Sequence, residues 1–171
     1  MIPEISVVVE DKTWLRLLPR AASLARAASL AVLKSEGCGR RRLAIDITLM
    51  NDKTQRVLNR EHRGKDKPTN VLSFPLETLD MKIPRGRPRQ LGDITLARET
   101  LLREAREQGK DLKAHFVHLV VHGTLHLLGY DHIRPGEARD MEAREVRLLQ
   151  RIGYPDPYAD TDSTKLRTSL K

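Results

Sequence analysis

The chain of 171 residues is long enough for one domain with a hydrophobic core, and an apolar content of 39% is typical of a globular protein. Its net charge of +8, from 31 basic and 23 acidic side chains, indicates polyanionic partners such as nucleic acid or acidic membrane surfaces. The single cysteine, Cys38, excludes an intramolecular disulfide, and neither a signal-peptide pattern nor a membrane-spanning apolar run is seen, so we expect a cytoplasmic protein.

The first half of the chain alternates between strand and helix patterns. β-Branched residues at 5–9 predict a strand, and apolar residues at spacings of three and four predict a helix over 13–35. Alternating apolar residues predict a second strand over 41–50. Asn51 is a candidate N-cap for a helix over 52–62 that Gly64 would end, and a third strand is predicted at 70–74.

The second half of the chain is mostly helical. After a loop at 79–90, the pattern predicts a fourth strand at 92–97 and helices over 98–107, 112–128 and 135–151. Because the strands come early and the longest helices late, we expect an α+β fold with a small mixed sheet of about four strands. We expect one domain over residues 1–155, followed by a polar, proline-rich and disordered tail over 156–171.

Three histidines in the segment HGTLHLLGYDH have the spacing of a metal site. His122 and His126 are four residues apart on a predicted helix, so both imidazoles project from one face. Gly129 can end that helix in a left-handed conformation and let the chain bring His132 to the same ion. Three imidazoles and one water form a catalytic type of zinc site, although imidazole also suits nickel, copper and iron.

This histidine spacing equals that of the metzincin proteases, but Gly123 occupies the position of their glutamate. In those enzymes the glutamate activates the zinc-bound water, so its absence argues against a peptidase. Asp131 could act as the base instead, or it could orient a ligand imidazole. His118 and His115 extend the same helical stripe, and we expect them to pack against the ligands or to support them; a ligand or proton-transfer role is the alternative.

A basic segment lies upstream of the histidines, over residues 51–68. Its cations recur at helical spacings and continue into the following loop: Lys53, Arg56, Arg60, Arg63, Lys65 and Lys67. The loop at 82–89 adds four more positive charges and no acid. A solvated helix face would explain this pattern, but an RNA or DNA phosphate backbone is its natural counterpart. An arginine beside a metal could stabilise the transition state of phosphodiester cleavage.

The same segments resemble the signature of the YbeY endoribonucleases. The likeness lies in HLVVHGTLHLLGYDH at 118–132, RGKDKPTNVLSFP at 63–75 and LGDI at 91–94, and it covers roughly residues 5–153. The resemblance implies a zincin-like α+β fold with the metal-binding helix in the C-terminal half. It also implies a zinc-dependent endoribonuclease that prefers single strands, matures the 3′ end of 16S rRNA and acts in late quality control of the 70S ribosome.

The resemblance also implies roles for individual residues. His122, His126 and His132 would bind one zinc ion per chain, and Arg63 would be the important arginine of the site. Ribosomal RNA and the small ribosomal subunit would be the partners, together with ribosomal or assembly proteins.

Two other functions also fit the residues. A metallopeptidase with Asp131 as its base would cleave peptides and leave RNA intact. A ribosome assembly factor without enzymatic activity would use the metal structurally and bind ribosomes through its basic surface. The nucleophile, whether water or the ribose 2′-OH, is not determined by the sequence.

Overall fold

The computed structural model describes residues 2–159, which form ten helices and strands. In chain order these are β1 (Glu4–Val9), α1 (Trp14–Leu17), α2 (Ala21–Ser35), β2 (Leu43–Met50), α3 (Asp52–Arg63), β3 (Val71–Pro75), β4 (Arg89–Ala97), α4 (Arg98–Glu107), α5 (Leu112–Leu127) and α6 (Pro135–Arg151). The prediction of an α+β fold with a small mixed sheet is confirmed.

The four strands form one sheet in the order β1-β2-β4-β3. β1, β2 and β4 run parallel, with Ile47 of β2 between Val7 and Ile94 in the register. β3 runs antiparallel to β4 and, as the last strand in this order, is an edge strand. The inward residues of β2, such as Ile45 and Ile47, are buried beneath the helices. The sheet thus presents one apolar face to the helical layer and has edge strands at β1 and β3.

Most predicted boundaries lie within two residues of the observed ones, and two elements differ more. The helix predicted over 13–35 is divided into α1 and α2, because Pro19 has no N–H and disfavours the helical conformation at Leu18, whose φ is −135°. β4 begins at Arg89, three residues before the predicted start at 92, because the N–H of Arg89 donates to the Arg42 carbonyl. Long-range pairing therefore sets the start of this strand.

Helix α5 lies at the centre of the molecule. It packs against β3 and β4 on one side and against α2, α4 and α6 on the others, and most of its residues are buried. Gly123 allows the close approach to the sheet, because a Cβ there would lie 3.0 Å from Ile94 Cγ2 and 3.2 Å from Ser73 Oγ. The Ser73 hydroxyl also donates to the Gly123 carbonyl at 3.2 Å. This contact holds α5 beside the edge strand.

The chain keeps a defined structure beyond residue 155, where the sequence pattern placed the end of the domain. Lys110 Nζ donates to the Pro157 carbonyl at 2.7 Å, and the Tyr158 ring packs edge-on against His118 with centroids 5.5 Å apart. These contacts attach residues 156–159 to the domain. The predicted disorder of 160–171 lies outside the described residues.

Candidate metal centre beside a basic cleft

The structure brings together the three histidines that the sequence selected. One ligand nitrogen from each of His122, His126 and His132 lies within 4.8 Å of the others. The Nε2 atoms of His122 and His126 are 3.0 Å apart. Tetrahedral zinc bonds of about 2.0–2.1 Å would place two such nitrogens about 3.3 Å apart. The three imidazoles therefore fit around one metal ion.

Two of these histidines are fixed by α5, whose N-cap Asp111 accepts a hydrogen bond from the Ala114 N–H through its side chain. His122 and His126 stand one turn apart near the end of this helix, and both are half-buried. Burial, and the neighbouring imidazoles of His122 and His132, lower the pKa of His126 to about 4. His126 is therefore neutral at neutral pH, with a lone pair available for a metal.

The third histidine follows a reversal of the chain at Gly129, as the sequence predicted. Gly129 has a φ of 101°, and the Tyr130 N–H donates back to the Leu125 carbonyl at 3.2 Å. The His132 ring then lies 5.0 Å from the His126 ring. Its side chain is 59% exposed, so a loop and not the core carries this ligand.

Three side chains, which we call the loop clamp, hold this loop: Glu36, Tyr130 and Arg144. The Tyr130 hydroxyl donates to Glu36 at 2.6 Å, and Arg144 pairs with the same carboxylate at 3.1 Å. The Arg144 guanidinium also lies 4.6 Å from the centroid of the Tyr130 ring. Burial and the bond to Glu36 raise the pKa of Tyr130 to about 12, so its hydroxyl remains a donor.

One residue near the ligands was not selected by the sequence analysis. Glu145 of α6 is fully buried, and its carboxylate accepts from His122 Nδ1 at 2.5 Å and from His118 Nε2 at 3.0 Å. Burial raises the pKa of Glu145, but the hydrogen bonds from the two histidines outweigh that effect and lower the pKa to about 2. The sequence pattern could have indicated that Glu145 is buried, because position 145 falls in the apolar stripe of α6 that contains Met141 and Leu148.

Of the two other histidines on this stripe, His118 thus supports a ligand through Glu145. His115 Nε2 lies 2.8 Å from Glu104 Oε2, and this carboxylate also accepts from Asn70 at 3.0 Å. Both histidines are buried and paired with a carboxylate from a neighbouring helix. The structure therefore places them in the packing around the ligands, in agreement with the sequence-based expectation.

A cleft of about 720 Å³ joins the histidine cluster to part of the basic segment. Arg63, Lys65 and Lys67 line its wall together with the three histidines. Arg63 is the last residue of α3, and its Nη2 donates to the Ser73 carbonyl on the edge strand β3 at 3.2 Å. This bond anchors the guanidinium to the strand that borders α5. One cleft therefore combines candidate metal ligands with three cations.

The remaining cations of the predicted stripe do not line this cleft. Arg56 forms two hydrogen bonds with Asp66, at 2.8 and 3.0 Å, and Arg60 lies 3.8 Å from the same carboxylate. Gly64, in the left-handed conformation, turns the chain so that Asp66 returns to α3. The basic loop is also partly neutralised, because Arg87 pairs with Glu77 at 2.5 Å. The cationic stripe is therefore not one uniform binding face.

Asp131 lies on the cleft wall, next to the loop-borne histidine. Its Oδ1 accepts from the His132 backbone N–H at 2.7 Å and lies 3.9 Å from His132 Nδ1. Its side chain is 45% exposed, and no hydrogen bond from a described residue reaches Oδ2. Among the described lining residues it is the one carboxylate. This geometry is compatible with a base and with a residue that shapes the loop.

Position 123 does not face the cleft. A side chain there would point at Ile94 and Ser73, in the contact between α5 and the sheet. Gly123 is buried and is not among the described residues that line the cleft. A side chain at position 123 would therefore require small shifts of Ile94 and Ser73, and the described residues place no carboxylate there for a peptidase-type mechanism.

Comparisons with known proteins agree on one family. The family model for endoribonuclease YbeY matches residues 9–153. A protein of Azorhizobium caulinodans named endoribonuclease YbeY is 51% identical over 158 residues, covering 91% of this chain and 96% of that protein. One from Paramagnetospirillum magneticum with the same name is 46% identical over 162 residues, covering 92% and 96%.

Among solved structures, the solution structure of TM1509 from Thermotoga maritima resembles this chain with a TM-score of 0.58. The match covers 95% of this chain and 93% of that one, at 22% sequence identity. This likeness concerns the fold alone.

Proposed function

Since the chain belongs to the endoribonuclease YbeY family, we propose that it is a zinc-dependent endoribonuclease that cleaves single-stranded RNA. The observation that carries this proposal is the single cleft that joins the three histidines to Arg63, Lys65 and Lys67. An RNA strand offers a phosphate backbone for the cations and a scissile phosphodiester for the metal. The sequence-based assignment to this family is confirmed, and so is the zincin-like α+β fold.

His122, His126 and His132 would hold the zinc ion through three neutral imidazoles. When bound, zinc supplies a Lewis acid for a phosphate oxygen and lowers the pKa of a water molecule toward about 7. Arg63, anchored through Nη2 on the Ser73 carbonyl, has further N–H groups for the oxygens of the scissile phosphate. It would stabilise the negative charge that develops there, and Asp131 would accept a proton from the nucleophile.

We further propose ribosomal RNA as the substrate, in maturation of the 16S rRNA 3′ end and in late quality control of the 70S ribosome. The small subunit, with ribosomal or assembly proteins, would be the partner, and the cytoplasm would be the compartment. The net charge of +8 and the lysines of the cleft wall support an RNA partner, whose binding should weaken steeply with salt. No helix among residues 2–159 is long and apolar enough to cross a membrane.

The test compares four purified full-length proteins on single-stranded and duplex RNA of one sequence, with metal content measured in each sample. They are the wild type, His126→Ala, Arg63→Ala and a control, Arg151→Ala, in which another exposed arginine at the end of a helix is changed. We expect His126→Ala to lose both metal and cleavage. Arg63→Ala should keep the metal and cleave about 100-fold more slowly, and Arg151→Ala should behave as wild type.

Equal cleavage by all four proteins would identify a contaminating nuclease and overturn the proposal. Cleavage of peptides but not RNA would instead support the metallopeptidase. If no sample cleaved RNA and His126→Ala still bound ribosomes in a salt-sensitive manner, with normal rRNA processing, the chain would be a ribosome assembly factor with a structural metal.

A further inference from the structure

A buried carboxylate lies next to the three histidines that would bind the metal. Glu145 has no exposed surface, and its two oxygens accept hydrogen bonds from three side chains. Oε1 accepts from His122 Nδ1 at 2.5 Å, whereas Oε2 accepts from His118 Nε2 at 3.0 Å and from the Tyr158 hydroxyl. A carboxylate buried away from water depends on such donors, because each replaces a hydrogen bond to solvent.

The bond to Glu145 determines which nitrogen of His122 faces the other ligands. A carboxylate has no proton to donate, so His122 Nδ1 carries the hydrogen, and in the neutral imidazole Nε2 then holds the lone pair. That Nε2 lies 3.0 Å from Nε2 of His126. The tautomer selected by Glu145 is therefore the one that can bind a metal at this cluster.

Tyr158 follows helix α6 in the chain, and its hydroxyl contacts the Glu145 carboxylate. Its backbone N–H donates to Asp156 at 2.8 Å, and Lys110 holds the adjacent Pro157 carbonyl at 2.7 Å. Its ring packs edge-on against His118, with centroids 5.5 Å apart. Burial and the Glu145 carboxylate raise the pKa of Tyr158, so its hydroxyl remains a donor.

We propose that Glu145, His118 and Tyr158 are positioning residues of the metal site, and that the turn at 156–159 is part of that site. The inference rests on the metal-dependent function proposed above. All three residues act through His122. Glu145 sets the tautomer and the ring orientation of this ligand, while His118 and Tyr158 hold the carboxylate in place. Supports of this kind change metal affinity by about 10–100-fold in metalloproteins.

The first measurement is zinc affinity, by competition with a chromophoric chelator, for full-length wild type, Glu145→Gln, Tyr158→Phe and Tyr154→Phe. Tyr154 is the matched control, since it packs against the core and its hydroxyl bonds to none of the described residues. We expect Glu145→Gln to weaken zinc binding by about 10–100-fold. Tyr158→Phe should weaken it by about 3–10-fold, and Tyr154→Phe should leave it unchanged.

The second measurement is the tautomer of His122 in the metal-free proteins, from the nitrogen chemical shifts of the imidazole. We expect one tautomer with hydrogen on Nδ1 in the wild type and in Tyr154→Phe. Glu145→Gln and Tyr158→Phe should show a mixture. A general loss of stability would not move this signal while the protein stays folded, so thermal unfolding is recorded alongside. If Glu145→Gln does not fold, Tyr158→Phe decides the matter.

Wild-type zinc affinity and a wild-type His122 tautomer in Tyr158→Phe would overturn the inference. Both measurements are made without RNA, so they are independent of catalysis. A wild type that binds zinc but cleaves no RNA would overturn the proposed function, while the differences in zinc affinity among the variants would still stand.

Discussion

Two of the three candidate metal ligands stand on a helix and the third stands on a loop, and the two parts of the site are supported in different ways. His122 and His126 belong to α5, which packs against the sheet and three other helices. His132 lies on the loop between α5 and α6, and 59% of its side chain is exposed. The comparison teaches that the core fixes two ligands, whereas a few side-chain contacts place the third.

This difference has an energetic meaning. Displacing the helix-borne ligands would disturb buried residues such as Val121 and Leu125, at a cost of several kcal/mol of folding free energy. His132 can move with little loss of buried contact, so we expect its loop to open more easily than the core of the domain. We therefore expect substitutions of the helical ligands and of the loop ligand to have separable effects on metal affinity and on the stability of the fold.

The largest effect on zinc affinity is expected from a change in one of the two helical ligands, His126→Ala. Binding of zinc to structural sites with four ligands contributes about 10–16 kcal/mol, so one ligand accounts for about 3 kcal/mol. Loss of His126 should therefore weaken zinc binding by about 100-fold. His132→Ala should cost about tenfold less, because ordering the loop residue already consumes about 1–2 kcal/mol of conformational entropy. Chelator competition on both variants tests this. Equal losses would show that the loop ligand is as well ordered as the helical one.

The next largest effect on zinc affinity is expected from Gly129→Ala, at the turn between α5 and the loop that carries His132. The φ of 101° disfavours any side chain by about 1–3 kcal/mol, while a Cβ there meets no atom within 4 Å. The change is therefore conformational, and we expect about tenfold weaker zinc binding with a small decrease in Tm.

Gly136→Ala is the matched control for this substitution. Its Cβ also meets open space, and the residue lies within α6, so zinc affinity should not change and stability should rise by up to about 1 kcal/mol. Unchanged zinc binding in Gly129→Ala would mean that the loop finds its position without this turn.

A smaller effect is expected from Tyr130→Phe in the loop clamp. The change removes the hydroxyl that donates to Glu36 at 2.6 Å, but the ring still contacts Arg144. We expect a loss of about 1 kcal/mol, which corresponds to about fivefold weaker zinc binding. Zinc affinity and Tm are measured together. A lower Tm with unchanged affinity would assign the clamp to the stability of the fold and not to the position of His132.

The smallest effect on zinc affinity is expected from Asp131→Asn. The amide oxygen can still accept from the His132 N–H, so affinity should change by less than about fivefold, as for exposed ion pairs. If Asp131 is the base, RNA cleavage should nevertheless fall by about 100-fold or more. A rate that falls only in proportion to zinc affinity would restrict Asp131 to shaping the loop.

The sequence predicted the parts of the site that local geometry determines. His122 and His126 follow from helical spacing, and the return of His132 follows from a glycine at the position of a helix C-terminus. Asn51 was also predicted as an N-cap, and its side chain accepts from the Thr54 N–H at 2.9 Å. Each of these features depends on residues a few positions apart, so its physical cause is visible in the sequence.

The parts that were not predicted depend on distant pairing. Glu145 is 23 residues from His122, and Glu36 is 94 residues from Tyr130. Arg56 fitted a cationic stripe by its spacing, but it pairs with Asp66 only because the chain turns back at Gly64. The apolar stripe that surrounds Glu145 was the one available sign of a buried charge, and it did not reveal the charge's partners.

Gly123 finally bears on how this architecture could change its chemistry over evolution or by design. A carboxylate side chain at this position would start between the helix and the sheet, where an added Cβ would lie 3.0 Å from Ile94 Cγ2. A side chain at this position therefore requires Ile94 and Ser73 to shift. A design that places a carboxylate at position 123 should therefore be combined with a smaller side chain at Ile94, in the contact between α5 and β4.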